Sequence, residues 1–344
     1  MRWTKKVTMV EAHAEGEVGR VVTESDIQVP GATMVEKLAW MNSEGDALRR
    51  FLVFEPRGAA QMSTLLTFPP TRADADIGFL VLQPDRTHAM SGSNAICLTT
   101  VLLETGRIEM REPETRVRID TAAGLVTAVA QCRAGKCERV TLTMTPSFAE
   151  RLGARVSVEG LGEVEADIAF GGIFYALVNA KSVGLQIVPE QARNLVEAGS
   201  RIHRALTVAL DIRHPEIAAL NGVAYVMFTS RNEAGELVGA TIMPPGRIDR
   251  SPCGTGNSAR LAVAAAKGEA RPGDRFIARS IIGSRFDVEF AGEAVVAGRK
   301  AVLPRISGRG FIHGIHQIGL DPADPFPEGY FVADTWGDAS DLLR

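Results

Sequence analysis

The stretch Asp249-Arg250-Ser251-Pro252-Cys253-Gly254-Thr255-Gly256-Asn257 runs directly into an alanine-rich segment from Ser258 to Lys267. Proline and glycine on either side of the cysteine predict a sharp turn into a helix. The amides of Gly254, Thr255 and Gly256 would then be among the donors that the first helical turn leaves unpaired. A thiol at that positive helix end is expected to be drawn from its ordinary pKa of ~8.5 toward the thiolate. Asp249, four residues earlier, is expected where a strand enters the turn. A buried carboxylate there needs a cation, supplied by Arg247, by Arg250 or by a bound ammonium group. The same design occurs earlier, where Met90-Ser91-Gly92-Ser93-Asn94 leads into the apolar segment Ala95 to Glu104, with Ser93 or Asn94 as the expected N-cap. Gly106 follows Ser91 by 15 residues and Gly268 follows Cys253 by 15, and the two turns are 162 residues apart (253 minus 91), close to half of the 344-residue chain. The spacing predicts a duplicated α/β unit whose two helix N-termini face each other across a cleft.

Composition narrows the class of partner. A chain of 344 residues with 45% hydrophobic content is long enough for two domains and a sizeable core. A net charge of -3 carries no electrostatic footprint for nucleic acid. No apolar run approaches the ~18 residues of a membrane span, and the charged opening residues do not read as a signal region, so no membrane partner and a cytoplasmic location are expected. The four cysteines, Cys97, Cys132, Cys137 and Cys253, form no Cys-x-x-Cys pair. Cys132 and Cys137 flank a hairpin turn at Arg133-Ala134-Gly135-Lys136 and read as a chance cross-strand pair, and Cys97 as a core residue. His313 and His316 stand three apart, but Gly310 and Gly314 argue against a helix that could present them to a metal, so no metal is expected. His203 and His214 read as surface or cap histidines.

Short β-rich runs are expected at Val18 to Val22, Leu52 to Phe54, Leu65 to Phe68, Ile77 to Leu82, Val117 to Ile119, Leu125 to Ala130 and Val140 to Met144. The second half repeats them at Glu163 to Phe170, Phe174 to Val178, Ala224 to Phe228 and Gly239 to Met243. Helices are expected around Thr33 to Trp40 and from Pro189 to Leu210. His13, Glu15 and Glu17 alternate as on one strand face. Phe170-Gly171-Gly172 predicts a bulge or a close backbone approach, with a plain turn equally open on spacing alone. A proline-rich loop is expected before a terminal strand from Gly329 to Ala333.

Two of these motifs carry a resemblance. Ser-Pro-Cys-Gly-Thr-Gly at 251–256, behind Asp249-Arg250, resembles the second catalytic motif of the proline racemase family. Met90-Ser91-Gly92-Ser93-Asn94 resembles its first, usually Met-Cys-Gly-His-Asn. His13-Ala14-Glu15-Gly16-Glu17 and Phe170-Gly171-Gly172 also fit, so the resemblance covers most of the chain. It implies an α+β fold of two pseudo-symmetric domains, each a mixed β-sheet rolled around a central helix as in diaminopimelate epimerase, with the active site in the cleft between them. Residues 1–124, completed by 311–344, would form one domain and 125–310 the other. The implied ligand is a small molecule, proline or a hydroxyproline, and no cofactor is implied. Opposed helix N-termini suit it, because their amides bind a carboxylate and stabilise enolate-like charge. Ser91 and Cys253 would be the catalytic acid–base pair, and Gly92, Ser93, Asn94, Asp249, Gly254 and Thr255 would bind substrate. A homodimer is one expected assembly.

The departure from the family pattern is Ser91 in place of a thiol, with Ser93 in place of the following histidine. Relatives lacking one thiol are mostly associated with trans-3-hydroxy-L-proline dehydration to Δ1-pyrroline-2-carboxylate, which becomes the leading expectation. Two thiols of matched pKa suit racemisation, whereas elimination asks less of the second group. The alternative is a 4-hydroxyproline 2-epimerase or proline racemase in which Ser91 still relays a proton. From another class comes a non-catalytic proline-derivative binding protein.

Overall fold

The computed structural model describes residues 2–332. Five α-helices occur among them: α1 (Met34–Met41), α2 (Asp46–Val53), α3 (Gly92–Glu104), α4 (Ala192–Ala209) and α5 (Gly254–Ala266). The helices foreseen behind Ser91 and Cys253 are α3 and α5, each of 13 residues. Gly106 and Gly268 follow their C-termini at φ +70° and +75°, the left-handed conformation that lets a chain leave a helix. Every residue of α3 from Gly92 to Leu103 is buried. A helix without a polar face must be covered on all sides, and here strands wrap it.

The strands follow one order twice. Lys6–Ala14 pairs antiparallel with Glu17–Ser25, which runs parallel to Ser63–Phe68; that strand is antiparallel to Ile77–Leu82, which is parallel to Glu114–Thr121. A meander through Gly124–Arg133 and Lys136–Thr143 follows. In the second series Gly162–Phe170 pairs antiparallel with Phe174–Asn179, parallel to Tyr225–Arg231, antiparallel to Leu237–Met243, parallel to Arg275–Arg279, then a meander through Arg285–Val296 and Arg299–Gly308. The duplication read from the two motifs therefore extends to strand order and direction. The series are also interlocked. Phe148–Val158 closes against Gly162–Phe170, while Gly310–Gly319 returns to pair with Lys6–Ala14.

Strands Lys6–Ala14, Glu17–Ser25, Gly124–Arg133, Lys136–Thr143 and Gly310–Gly319 pack on α3, whereas Phe148–Val158, Gly162–Phe170, Phe174–Asn179, Arg285–Val296 and Arg299–Gly308 pack on α5. We propose that the halves divide near residues 144–147, because the strands at 124–143, assigned to the second half by a division after residue 124, lie against α3. The mixed-sheet α+β architecture is as expected.

Several local expectations change. Leu52-Val53-Phe54 is not a strand: Leu52 and Val53 end α2, an eight-residue helix that buries Phe51, Leu52 and Val53 together with Arg49. The structure adds strands that the sequence reading passed over, Phe148–Val158 and the four between Arg275 and Gly319, whose half-exposed faces mix polar and apolar residues. His313 and His316 stand on the last of these, beside Glu11 of Lys6–Ala14. In place of a strand at 329–333 there is a single bridge from Tyr330 to Glu55, and Ala333 lies outside the described residues. No helix among those described is long and apolar enough to cross a membrane.

Candidate active site

Helices α3 and α5 meet end to end. A Cβ built on Gly92 would stand 2.9 Å from Gly254 Cα, so the two first turns touch backbone to backbone. Ser91 caps α3 and Cys253 caps α5, one residue before each glycine, rather than Ser93 or Asn94 as expected for α3. The Phe170-Gly171-Gly172 break is a close approach: a Cβ on Gly171 would stand 2.1 Å from the Thr255 carbonyl oxygen, so only glycine lets that strand end lie on the first turn of α5.

Cys253 holds φ at +69°, a conformation that side chains with a Cβ seldom adopt. Hydrogen bonds on both sides hold it there. Cys253 N donates to Ser251 Oγ at 3.1 Å, and Asn257 Nδ2 donates to the carbonyls of Pro252 at 2.6 Å and Cys253 at 2.9 Å. The turn aims Sγ back at the helix, where it accepts from Gly256 N at 3.3 Å and lies 3.3 Å from the Tyr175 hydroxyl.

The expected pull toward thiolate is overturned in this closed arrangement. Cys253 is 4% exposed, and burial first, with the Asp249 carboxylate second, pushes its pKa up to about 12. The Thr241 hydroxyl, then the Tyr175 hydroxyl and the Gly256 amide, act in the lowering direction but are outweighed. The sulfur rests as a thiol until something offsets burial and the carboxylate.

Asp249 Oδ1 accepts from Ser251 N and Ser251 Oγ, both at 2.8 Å. Its carboxyl is nevertheless raised, by burial and then by the charge of Glu17. Neither arginine named as its partner pairs with it. Arg247 bonds Glu17 at 2.5 Å, both buried, and Arg250 turns its guanidinium to the Ile248 carbonyl at 2.6 Å. Glu17 also accepts from Arg250 N at 2.9 Å, so it ties the first strand pair to the turn that carries Asp249. Glu17 does not share a strand face with His13 and Glu15, because Glu15 and Gly16 form a turn and Glu17 opens the next strand. His13 accepts from Gly16 N within that turn, and Glu15 pairs with Arg309.

On the other helix, Ser91 Oγ accepts from Asn94 Nδ2 at 2.9 Å and lies 3.3 Å from Ser93 Oγ. Ser93, Asn94 and Thr255 are all buried. The candidate residues are thus gathered around the two touching helix ends. A groove of about 880 Å³ lies elsewhere, among Arg116, Arg139, Asp287 and Arg305. Among the described residues no cluster of three His, Cys, Asp or Glu could hold a metal. Cys132 and Cys137 face each other across the predicted hairpin as free thiols, and Cys97 is a buried residue of α3 itself.

Sequence reasoning missed the two tyrosines. Tyr175 and Tyr225 are directly opposed on parallel strands with their rings edge to face at 5.7 Å. Tyr175 OH bonds Thr255 Oγ1 at 2.7 Å; Tyr225 OH donates to Gln83 Oε1 at 2.5 Å and lies 2.8 Å from His88 Nε2, which meets Asp85 at 2.9 Å. A signal existed. These are two of only three tyrosines, each in an apolar strand where a buried phenol needs a partner. His214, read as a surface or cap residue, is buried between Phe148 and Phe170 and still caps, accepting from the amides of Glu216 and Ile217.

A family model described as proline racemase matches residues 9–331. A protein of Allorhizobium ampelinum named 4-hydroxyproline 2-epimerase is 51% identical over 346 residues, covering 100% of both chains. The crystal structure of a hydroxyproline epimerase from Agrobacterium vitis, with bound trans-4-OH-L-proline, superposes with a TM-score of 0.96 at 50% identity and covers 100% of both chains. A methylitaconate-delta-isomerase structure shares the fold at a TM-score of 0.53 and 15% identity, covering 97% of this chain and 99% of its own.

Proposed function

Because this chain belongs to the proline racemase family, we propose that it is a 4-hydroxyproline 2-epimerase in which Cys253 and Ser91 exchange the Cα proton without a cofactor. The observation that carries the reading is the full-length identity of 51% to a relative of that name. The geometry supports it. Two helix N-termini that touch at Gly92 and Gly254 offer amides to one carboxylate from both sides. Asp249, buried and without a salt bridge among the described residues, is the complement of a ring ammonium group.

Binding would itself prepare the base. An ammonium beside Asp249 offsets the negative charge that helps keep Cys253 protonated, so substrate favours the thiolate. Sγ then takes the proton from Cα, and the electron pair of the broken C–H bond spreads into the carboxylate, held by the helix amides. Ser91 Oγ–H returns a proton to the opposite face. The oxygen left behind keeps the Asn94 hydrogen bond and regains a proton from water through the neighbouring Ser93 hydroxyl, while Cys253 returns the proton taken from Cα to water once the product has left.

Dehydration of trans-3-hydroxy-L-proline gives way as the leading reading, since the relatives' names favour the epimerase alternative. It is retained as the second reading on one observation: Ser91 is a weak acid whose hydrogen-bond partners are Ser93 and Asn94, with no histidine or carboxylate among them. The test is to incubate the purified protein in D2O with each hydroxyproline. The expected result is cis-4-hydroxy-D-proline carrying deuterium at Cα. Faster pyrroline formation from the 3-hydroxy isomer would refute the epimerase reading, and absence of exchange on either would leave a binding protein.

A further inference from the structure

The two helix caps are backed differently. In the second series Tyr175 pairs in register with Tyr225; the corresponding pair in the first is Gly19 with Ser63. Above Gly19 the space is taken by Asn94, whose Oδ1 would lie 2.6 Å from a Cβ built there, and the Asn94 amide supports Ser91. Above Tyr175 stands Cys253. The duplicated scaffold thus places an amide donor under the serine and a phenol under the cysteine.

We infer that Tyr175 is a positioning residue for Cys253, its hydroxyl holding the sulfur in both protonation states and donating to it once the proton has left. The hydroxyl contacts Cys253 Sγ at 3.3 Å and Thr255 Oγ1 at 2.7 Å, which makes a three-membered chain whose protons can turn round. With a thiol, S–H donates to the phenol oxygen and the phenol donates to Thr255. With a thiolate, Thr255 donates to the phenol and the phenol donates to sulfur. Two hydroxyl protons reorient, and none is gained or lost. The phenol is itself held neutral, burial raising its pKa well above the ordinary value, so it remains a donor where the thiol titrates. The other titratable groups facing the sulfur are Asp249, from the turn, and Tyr225, from the neighbouring strand. Tyr225 spends its hydroxyl on Gln83 and His88, which leaves Tyr175 as the phenol in contact with sulfur. Strand Phe174–Asn179 packs on α5, so Tyr175 accompanies Cys253 if the two halves move apart.

The inference rests on the reading of Cys253 as a proton-transfer group, but its test reads the thiol itself. The pH dependence of Cys253 alkylation by iodoacetamide, followed on the peptide by mass spectrometry, is compared in wild type, Tyr175→Phe and Tyr225→Phe. A hydrogen bond to a charged sulfur corresponds to a midpoint shift of roughly 1–2 pH units, so Tyr175→Phe should move the midpoint alkaline by that amount and Tyr225→Phe should leave it in place. With hydroxyproline as substrate, the acidic limb of kcat/KM should move by the same interval. If Tyr175→Phe does not fold, fluorotyrosine incorporated in the Tyr225→Phe background leaves only positions 175 and 330 labelled. The more acidic phenol is a stronger donor and should move the alkylation midpoint toward acid. An unmoved midpoint in the folded Tyr175→Phe protein, or in the fluorotyrosine protein, overturns the role of Tyr175. Shifted alkylation without hydroxyproline turnover would instead overturn the epimerase reading and leave the tyrosine's role standing.

Discussion

Replacing Gly92 with alanine tests whether contact between the two helix ends is what assembles the site. The added methyl would stand 2.9 Å from Gly254 Cα, 3.4 Å from Gly254 C and 3.5 Å from Thr255 N, all backbone atoms that cannot turn aside. An ordinary carbon–carbon contact is ~3.5–4.0 Å, so the helix ends must separate by roughly 0.6–1.1 Å. Overpacking of this kind destabilises by about 1–3 kcal/mol, and displacement of reacting groups by ~1 Å can lower turnover by ~10²-fold. Gly106→Ala is the matched control. Its φ of +70° makes alanine unfavourable by about 1–2 kcal/mol, yet nothing lies within 4 Å of the new methyl. Both variants should melt earlier than wild type by thermal denaturation. Only Gly92→Ala should lose kcat for trans-4-hydroxy-L-proline, roughly 10- to 100-fold. Wild-type kcat in Gly92→Ala, or an equal loss in both, would refute the argument that the helix-end contact sets the distance across Cα.

The remaining expectations can be checked with the same assays. Ser91→Ala should permit Cys253 to remove and restore the proton on one face, so solvent deuterium should enter Cα of one isomer with configuration retained; continued inversion would remove Ser91 from the mechanism. Ser91→Cys, alone or with Ser93→His, should raise the inversion rate by matching the two acids, and a slower double variant would count against that view. Asp249→Asn should raise KM for hydroxyproline at least ~10-fold through loss of a charge-assisted bond, while speeding alkylation of Cys253 in the ligand-free protein, because the carboxylate is one of the two causes that raise the thiol pKa. Finally, the folded thiol near pKa 12, against an ordinary value of ~8.5, stabilises the folded state fully below that ordinary value, and this contribution is lost as pH rises from there toward 12. Cys253→Ala should therefore flatten the alkaline fall of Tm across that window, and parallel melting curves would contradict the burial of the thiol.

The local chemistry and the duplication were written in the sequence. Turn residues around Cys253 and Ser91, helix closure by Gly106 and Gly268, and the 162-residue spacing are short-range signals, because caps and turns are set within a few residues of backbone. The Gly171 break was legible for the same reason, but whether it was a turn, a bulge or a close approach was decided by the Thr255 carbonyl packed against it. Helix α2 was not, since Leu52-Val53-Phe54 is apolar in either conformation and only its packing decides.

What the tertiary structure decided was the state of those groups. A helix N-terminus suggests a low-pKa thiol, and the sequence carries no measure of burial, which in the folded chain outweighs the helix amides and leaves Cys253 protonated. Asp249 had two arginines within two residues, yet Glu17, 230 positions from Arg247, claimed that guanidinium and left the carboxylate without it. Tyr175 lies 78 positions from Cys253 and reached it through the strand order around α5. Spacing in the chain fixes which groups can form a turn, but solvent exclusion and partners drawn from distant strands set their protonation, and these exist only once both series have closed around their helices.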